Sequence, residues 1–183
     1  MILSRFARKH GADTIGALYG AIVAQARSPV FYASFGIPDT PESRFEMIVL
    51  HVALFFRRLR AETGPLRELG QGVFDRFCSD MEANLREMGV SDLAVPQSMR
   101  RIGEAFYGRA RAYDHGLAAD DGGLTAALAR NIAPGRASVD FARLAAYTRM
   151  ASADLACQSG AAFASGIVAF PDPGAMPVRS ATP

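Results

Sequence analysis

The chain of 183 residues carries 20 lysines and arginines against 18 aspartates and glutamates, a formal net charge of +2 at pH 7. So small an excess does not indicate a nucleic-acid-binding surface, and two cysteines are too few for the disulfide framework of a small secreted domain. Hydrophobic residues make up 50% of the chain and charged residues 21%. These fractions and this length are typical of one globular domain.

The first half of the chain predicts a central helix. Residues 1–12 form a basic segment without the apolar stretch of a secretory signal, and Asp13 is expected to cap the first long helix. The sequence DTPE from Asp39 to Glu42 combines a capping side chain, a first-turn proline and an acid at the positive helix end. It predicts a helix to about Ala61. This helix is apolar almost all round, so we place it at the centre, and its apolar run Phe45–Phe56 is too short to span a membrane.

Two amphipathic helices joined by a short turn are predicted between Phe74 and Leu117. Gly89 is placed to end the first helix with a positive φ, and Pro96 to begin the second. Apolar residues recur at steps of three and four along both helices, which indicates one buried stripe on each. The stripes consist of Phe74, Phe77, Met81, Leu85 and Met88, and of Met99, Ile102, Phe106, Ala110, Tyr113 and Leu117.

Two glycines lie inside the second of these helices. Gly103 and Gly108 each cost about 1 kcal/mol relative to alanine in a helix interior. We expect close packing against a neighbouring helix at these positions.

The remaining residues complete an all-α prediction. A small helix is expected around Leu124–Ile132 and a last long helix from about Ser138, and no stretch alternates with period two for long enough to predict a strand. The prediction is a single irregular helical domain of about seven helices over residues 13–170. The basic segment 1–12 precedes it, and a disordered, proline-rich tail, residues 171–183, follows it.

No residue is assigned to catalysis, to a cofactor or to a metal, and the sequence predicts a non-enzymatic protein. His10, His51 and His115 lie far apart, without an HExxH or CxxC pattern. Asp120 and Asp121, followed by glycines, lack the alternating oxygen ligands of a calcium loop. His51 interrupts the central apolar helix, and we interpret it as a core histidine with one ring nitrogen bonded to a carbonyl.

Two blocks of the chain resemble the ubiquinol–cytochrome c chaperone family, over about residues 15–170. The first block is LYGAIVAQARSPVFYASFGIPDTPESRFEMIVLHVALFFRRLR, and the second is FDRFCSDMEANLREMGVSDLAVPQSMRRIGEAFYGRARAYDHGL. The final stretch ending GIVAFP is also similar to the family. Ser91 and Gln97 depart from the family pattern, in which glycine and lysine are usual.

The resemblance implies an assembly chaperone that binds cytochrome b during biogenesis of ubiquinol–cytochrome c reductase (complex III). It further implies a small partner protein and proximity to the ribosome. The cysteine usage predicts a cytoplasmic location, the basic N-terminal segment allows peripheral contact with the inner membrane, and the small net charge predicts no nucleic-acid specificity. The family has no agreed catalytic residues, so none is assigned here.

We place the client surface at the turn 89–97 and on the outer side of the helix that follows it. The residues predicted to contact the partner are Asp92, Val95, Pro96, Tyr107 and Arg109. The turn holds more specific residue choices than a simple connector requires. Tyr107 and Arg109 are expected to point away from the apolar stripe, and Tyr and Arg are common in protein interfaces.

Two other functions fit an all-α chain of this composition. A peripheral membrane or ribosome adaptor would use the basic N-terminal segment. A lipid- or quinone-binding helical protein, including a prenyl-chemistry enzyme, would normally carry acid-rich motifs such as DDxxD, for which Asp120 and Asp121 are a poor substitute.

Overall fold

A computed structural model describes residues 2–119 and 122–177, with side chains from residue 11 onward. Within these parts the chain forms α-helices and one 3-10 helix but no strand, which confirms the all-α prediction. Two of the eight α-helices have only five residues. The helices are α1 (Ile2–Ala26), α2 (Pro29–Ala33), α3 (Pro41–Leu59), α4 (Pro65–Glu87), α5 (Val95–Ala118), α6 (Gly123–Ile132), α7 (Phe141–Cys157) and α8 (Gly160–Ala164), followed by the 3-10 helix Pro173–Ala175.

Helix α3 lies at the centre of the fold, as its sequence predicts. The Thr40 side chain accepts a hydrogen bond from the Ser43 amide at 3.3 Å, and Pro41 occupies the first turn. The helix packs against α1, α4, α5, α6 and α7, so its apolar residues are buried on every side. Each fully buried large side chain, such as Phe55, contributes roughly 1.5–3 kcal/mol. None of the described helices is both long enough and apolar enough to cross a bilayer.

Helices α3, α4 and α5 form a layer whose connecting turn has the predicted geometry. Gly89 has φ +83°, and the Val90 amide donates to the Leu85 carbonyl at 3.0 Å, which closes the end of α4. The next helix begins at Val95, with Pro96 in its first turn. The start of α4 lies near the end of α3, and the start of α5 lies near the start of α3. Helix α4 therefore runs antiparallel to both α3 and α5.

Three features differ from the sequence prediction. The backbone of α1 is already helical at Ile2, so Asp13 lies inside a helix and does not cap one. Asp140, not Ser138, caps α7, by accepting from the Arg143 amide at 2.9 Å. Residues 171–177, expected to be disordered, pack on the domain: Met176 is buried and its carbonyl accepts from Arg143 Nε at 3.2 Å. The rest of the predicted tail, 178–183, lies outside the described residues.

Candidate functional site

The residues predicted to contact a partner do not form one surface. Asp92 and Pro96 are exposed at the α4–α5 turn, where 88% of the Asp92 side chain is accessible. Val95, between them in sequence, is only 2% exposed because it points into the domain as α5 begins. Its assignment as a contact residue is therefore corrected. Tyr107 lies eleven positions beyond Pro96, which is about 16 Å along the helix axis.

Tyr107 and Arg109 have different environments although both lie off the apolar stripe of α5. Tyr107 is 60% exposed, and its ring contacts Phe74 and Phe106 at centroid distances of 5.9 and 5.6 Å. Arg109 turns toward α3 and forms an ion pair with Glu46, which leaves 24% of its side chain exposed. The expectation of a free Arg109 is thus wrong, since burial inside its own domain explains this residue.

A groove between α3, α4 and α5 lies next to the turn. Its volume is about 790 Å³, and it contains apolar side chains from all three helices. Charged residues at its edges include Glu87 and the Asp39–Arg44 ion pair, in which Nε and Oδ1 lie 2.6 Å apart. We call it the methionine groove; its apolar lining residues are Phe45, Ile48, Met81, Leu85, Met88 and Ile102.

Exposed apolar side chains continue from the groove onto the turn. Met88 is 79% exposed and Leu93 94% exposed. The flexible, polarizable thioether of methionine adapts to partner surfaces of varied shape, so such a groove suits an apolar ligand without fixed geometry. Sequence reasoning assigned Met88 to the core stripe. Its position at the C-terminal cap of α4, after the last residue of the helix, was the available signal.

His51 is completely buried, and both of its ring nitrogens are occupied by hydrogen bonds. Its Nδ1 donates to the Met47 carbonyl at 2.7 Å, as the sequence interpretation predicted, so Nε2 must accept from the Tyr147 hydroxyl at 2.8 Å. Gln25 Nε2 donates in turn to Tyr147 Oη at 3.0 Å. Complete burial lowers the pKa of His51 to about 4. No group of three or more potential metal ligands occurs in residues 11–119 and 122–177, whose side chains the structure describes.

The comparisons with known proteins converge on one family. The family model described as Ubiquinol-cytochrome C chaperone matches residues 33–170, which contain α3, α4 and α5 in full. The chain belongs to the ubiquinol–cytochrome C chaperone family. This membership confirms the resemblance inferred from the two sequence blocks.

Proteins with similar sequences occur in yeast and in a frog. Protein CBP3, mitochondrial, of Saccharomyces cerevisiae is 34% identical over 159 residues, which cover 84% of this chain and 47% of the yeast protein. The Ubiquinol-cytochrome-c reductase complex assembly factor 1 of Xenopus laevis is 30% identical over 115 residues, covering 63% of this chain and 58% of that protein. The chain thus spans about half the length of these relatives.

A solved structure shares the fold along nearly the whole chain. The crystal structure of the Cbp3 homolog from Brucella abortus superposes with a TM-score of 0.86 at 38% sequence identity. The superposition covers 97% of this chain and 100% of that one. The helical arrangement of this chain is therefore shared with that Cbp3 homolog.

Proposed function

We propose that this protein is a non-enzymatic assembly chaperone of ubiquinol–cytochrome c reductase, and that its client is newly made cytochrome b. The observation that carries the proposal is the family match over residues 33–170, supported by relatives whose names describe assembly of that complex. The protein would act in the cytoplasm, at the inner face of the membrane that receives the client.

The methionine groove supports an apolar client. A membrane protein that has not yet assembled exposes apolar helices, and a helix can bind in a groove through one apolar face. Met88 and Leu93 are accessible for that contact without rearrangement of the core. Asp92 and Pro96 lie on the same turn, so they remain proposed contact residues; the buried Val95 does not.

The client proposal is tested by genetic complementation with a matched pair of variants. A deletion strain receives the wild-type gene, Met88→Asp or Met150→Asp. Met88 lines the groove, whereas Met150 is 42% exposed on α7 and does not line it. We expect Met88→Asp to leave cytochrome b depleted, because a carboxylate in the groove opposes apolar contact. Met150→Asp should restore wild-type levels.

The measurements test the chaperone function and the position of the client site separately. Cytochrome b is followed by reduced-minus-oxidised spectra and immunoblot, and quinol oxidation by cytochrome c reduction. Normal cytochrome b in the deletion strain would exclude the chaperone function. Full rescue by a folded Met88→Asp variant would retain the function but exclude the groove as the client site. A photo-crosslinker at position 88 should give an adduct with cytochrome b.

A further inference from the structure

A second concave surface, at the opposite end of the α3–α4–α5 layer, is rich in arginine. It has a volume of about 490 Å³ and lies between the end of α3, the start of α4 and the second half of α5. We call it the arginine cleft, after the four guanidinium groups that line it. These belong to Arg57, Arg60, Arg67 and Arg111.

One carboxylate faces these four cations. Asp114 is the single acidic residue among those that line the cleft, and it forms ion pairs with both Arg57 and Arg60. Four guanidinium groups and one carboxylate leave three positive charges in this cleft, whereas the whole chain has a net charge of only +2. Positive charge is therefore concentrated here.

Two of the arginines are available to a ligand. Arg67 and Arg111 are exposed, and neither has an ion-pair partner within residues 11–119 and 122–177. Arg60 is also open, with 68% of its side chain accessible although it contacts Asp114. Burial lowers the pKa of Arg57, and the neighbouring Arg60 charge lowers it further.

The floor of the cleft is apolar and aromatic. Phe56, Phe106 and Leu117 line it, and the ring centroids of Phe56 and Phe106 lie 6.0 Å apart. Tyr107, the exposed tyrosine of α5, stands at the edge of this floor. An exposed Tyr beside several Arg residues is the composition of energetically important positions in protein–protein interfaces.

We propose that the arginine cleft binds an acidic amphipathic helix of a partner protein, with carboxylates on Arg60, Arg67 and Arg111. The apolar side chains of that helix would cover the half-buried Phe56 and the exposed Tyr107. Charge complementarity identifies this occupant, because planar guanidinium groups bind carboxylates through paired hydrogen bonds, as Arg109 already binds Glu46. The cleft is concave and its arginines come from three helices, so a flat anionic bilayer would not reach the aromatic floor.

This binding does not depend on the identity of the client in the methionine groove. The two surfaces share no lining residue and lie at opposite ends of α3. A partner could therefore occupy the cleft while the groove holds a client. The assay below contains no cytochrome b, so its result is independent of the test of the proposed function.

The test measures binding of a defined probe to the full chain. The probe is a fluorescein-labelled peptide of about 18 residues, long enough to form a helix, with glutamates on one face and leucines on the other. A second peptide carries glutamine in place of glutamate. The Arg67→Gln/Arg111→Gln variant is compared with Arg100→Gln/Arg101→Gln, which removes the same charge from exposed positions of α5 outside the cleft.

We expect the acidic peptide to bind the wild type and the control variant alike, and the cleft variant about tenfold more weakly, since hydrogen bonds to charged groups are the strong ones. The glutamine peptide should bind poorly to all three proteins. Absence of binding to the wild type, or equal loss in both double variants, would overturn the proposal. Binding to phosphatidylglycerol vesicles that disappears in the cleft variant alone would overturn it in favour of a lipid. Circular dichroism establishes that each variant is folded.

Discussion

Arg109 on α5 and Glu46 on α3 form a two-bond ion pair between positions 63 residues apart in the chain. Nε lies 2.6 Å from Oε2, and Nη2 lies 2.5 Å from Oε1. Burial raises the pKa of Glu46, and the guanidinium of Arg109 opposes that rise. The pair thus compensates the desolvation of a carboxylate whose side chain is only 9% exposed. It also fixes α5 against α3 at the wall of the methionine groove, which Glu46 helps to line.

Removing Arg109 should destabilise the domain. Arg109→Ala leaves the Glu46 carboxylate buried without a counter-charge, which we expect to lower the free energy of unfolding by about 2–4 kcal/mol. The measurement is urea denaturation followed by circular dichroism. Arg111→Ala, two positions away at an exposed site, is the control and should change stability by less than about 0.5 kcal/mol. Equal stability of the two variants would mean that the ion pair contributes nothing.

His51 should make stability depend on pH in a defined window. Its pKa is about 4 in the folded protein against an ordinary value of 6.5, so between these values only the unfolded chain binds the proton. The contribution of neutral His51 to the free energy of unfolding is therefore complete above pH 6.5 and is lost as the pH falls toward 4. At pH 4 the wild type should have lost up to about 3 kcal/mol from this group.

The comparison for this prediction is His51→Gln, which cannot titrate. Urea midpoints between pH 7 and pH 4 should fall less steeply for the variant than for the wild type. The two proteins differ only at position 51, so the difference between their pH profiles reports on His51. Identical pH profiles would show that His51 is protonated in the folded state without penalty.

Glycines on α5 should respond to alanine in opposite directions. A Cβ atom at Gly116 would lie 2.5 Å from the Leu124 Cα and 2.6 Å from its amide nitrogen, so α5 and α6 could not keep their contact. A Cβ at Gly108 meets nothing within 4 Å. Gly116→Ala should cost about 1–3 kcal/mol, whereas Gly108→Ala should add about 0.5–1 kcal/mol through helix propensity. Melting temperatures that shift in the same direction would contradict this assignment.

These glycines mark a limit of sequence reasoning. The expected close approach at Gly103 and Gly108 is wrong, since neither has a neighbour within 4 Å of an added Cβ. Close packing occurs at Gly116 instead. The sequence around a helical glycine does not show whether another helix packs against it. The path of the following helix α6 decides that Gly116 is the position where a side chain would clash.

The sequence near each helix end was enough to predict much of the helical framework. The Thr40 cap, the first-turn Pro41 and the positive φ of Gly89 depend on residues within one turn of each site, so their sequence was sufficient. The apolar surface of α3 on all sides determined its central position. The hydrogen bond from His51 to the Met47 carbonyl spans only one helical turn and was predictable for the same reason.

Only the tertiary structure determined which of the candidate side chains are buried, paired or exposed. Val95 is buried, Arg109 is paired with Glu46 and residues 171–177 pack against the domain because of elements distant in sequence. Both concave surfaces combine side chains from three helices, whose relative positions follow from core packing that no local pattern specifies. Sequence determined which faces of the helices are apolar. The fold determined which of those side chains remain exposed at the ends of the α3–α4–α5 layer, available to a partner.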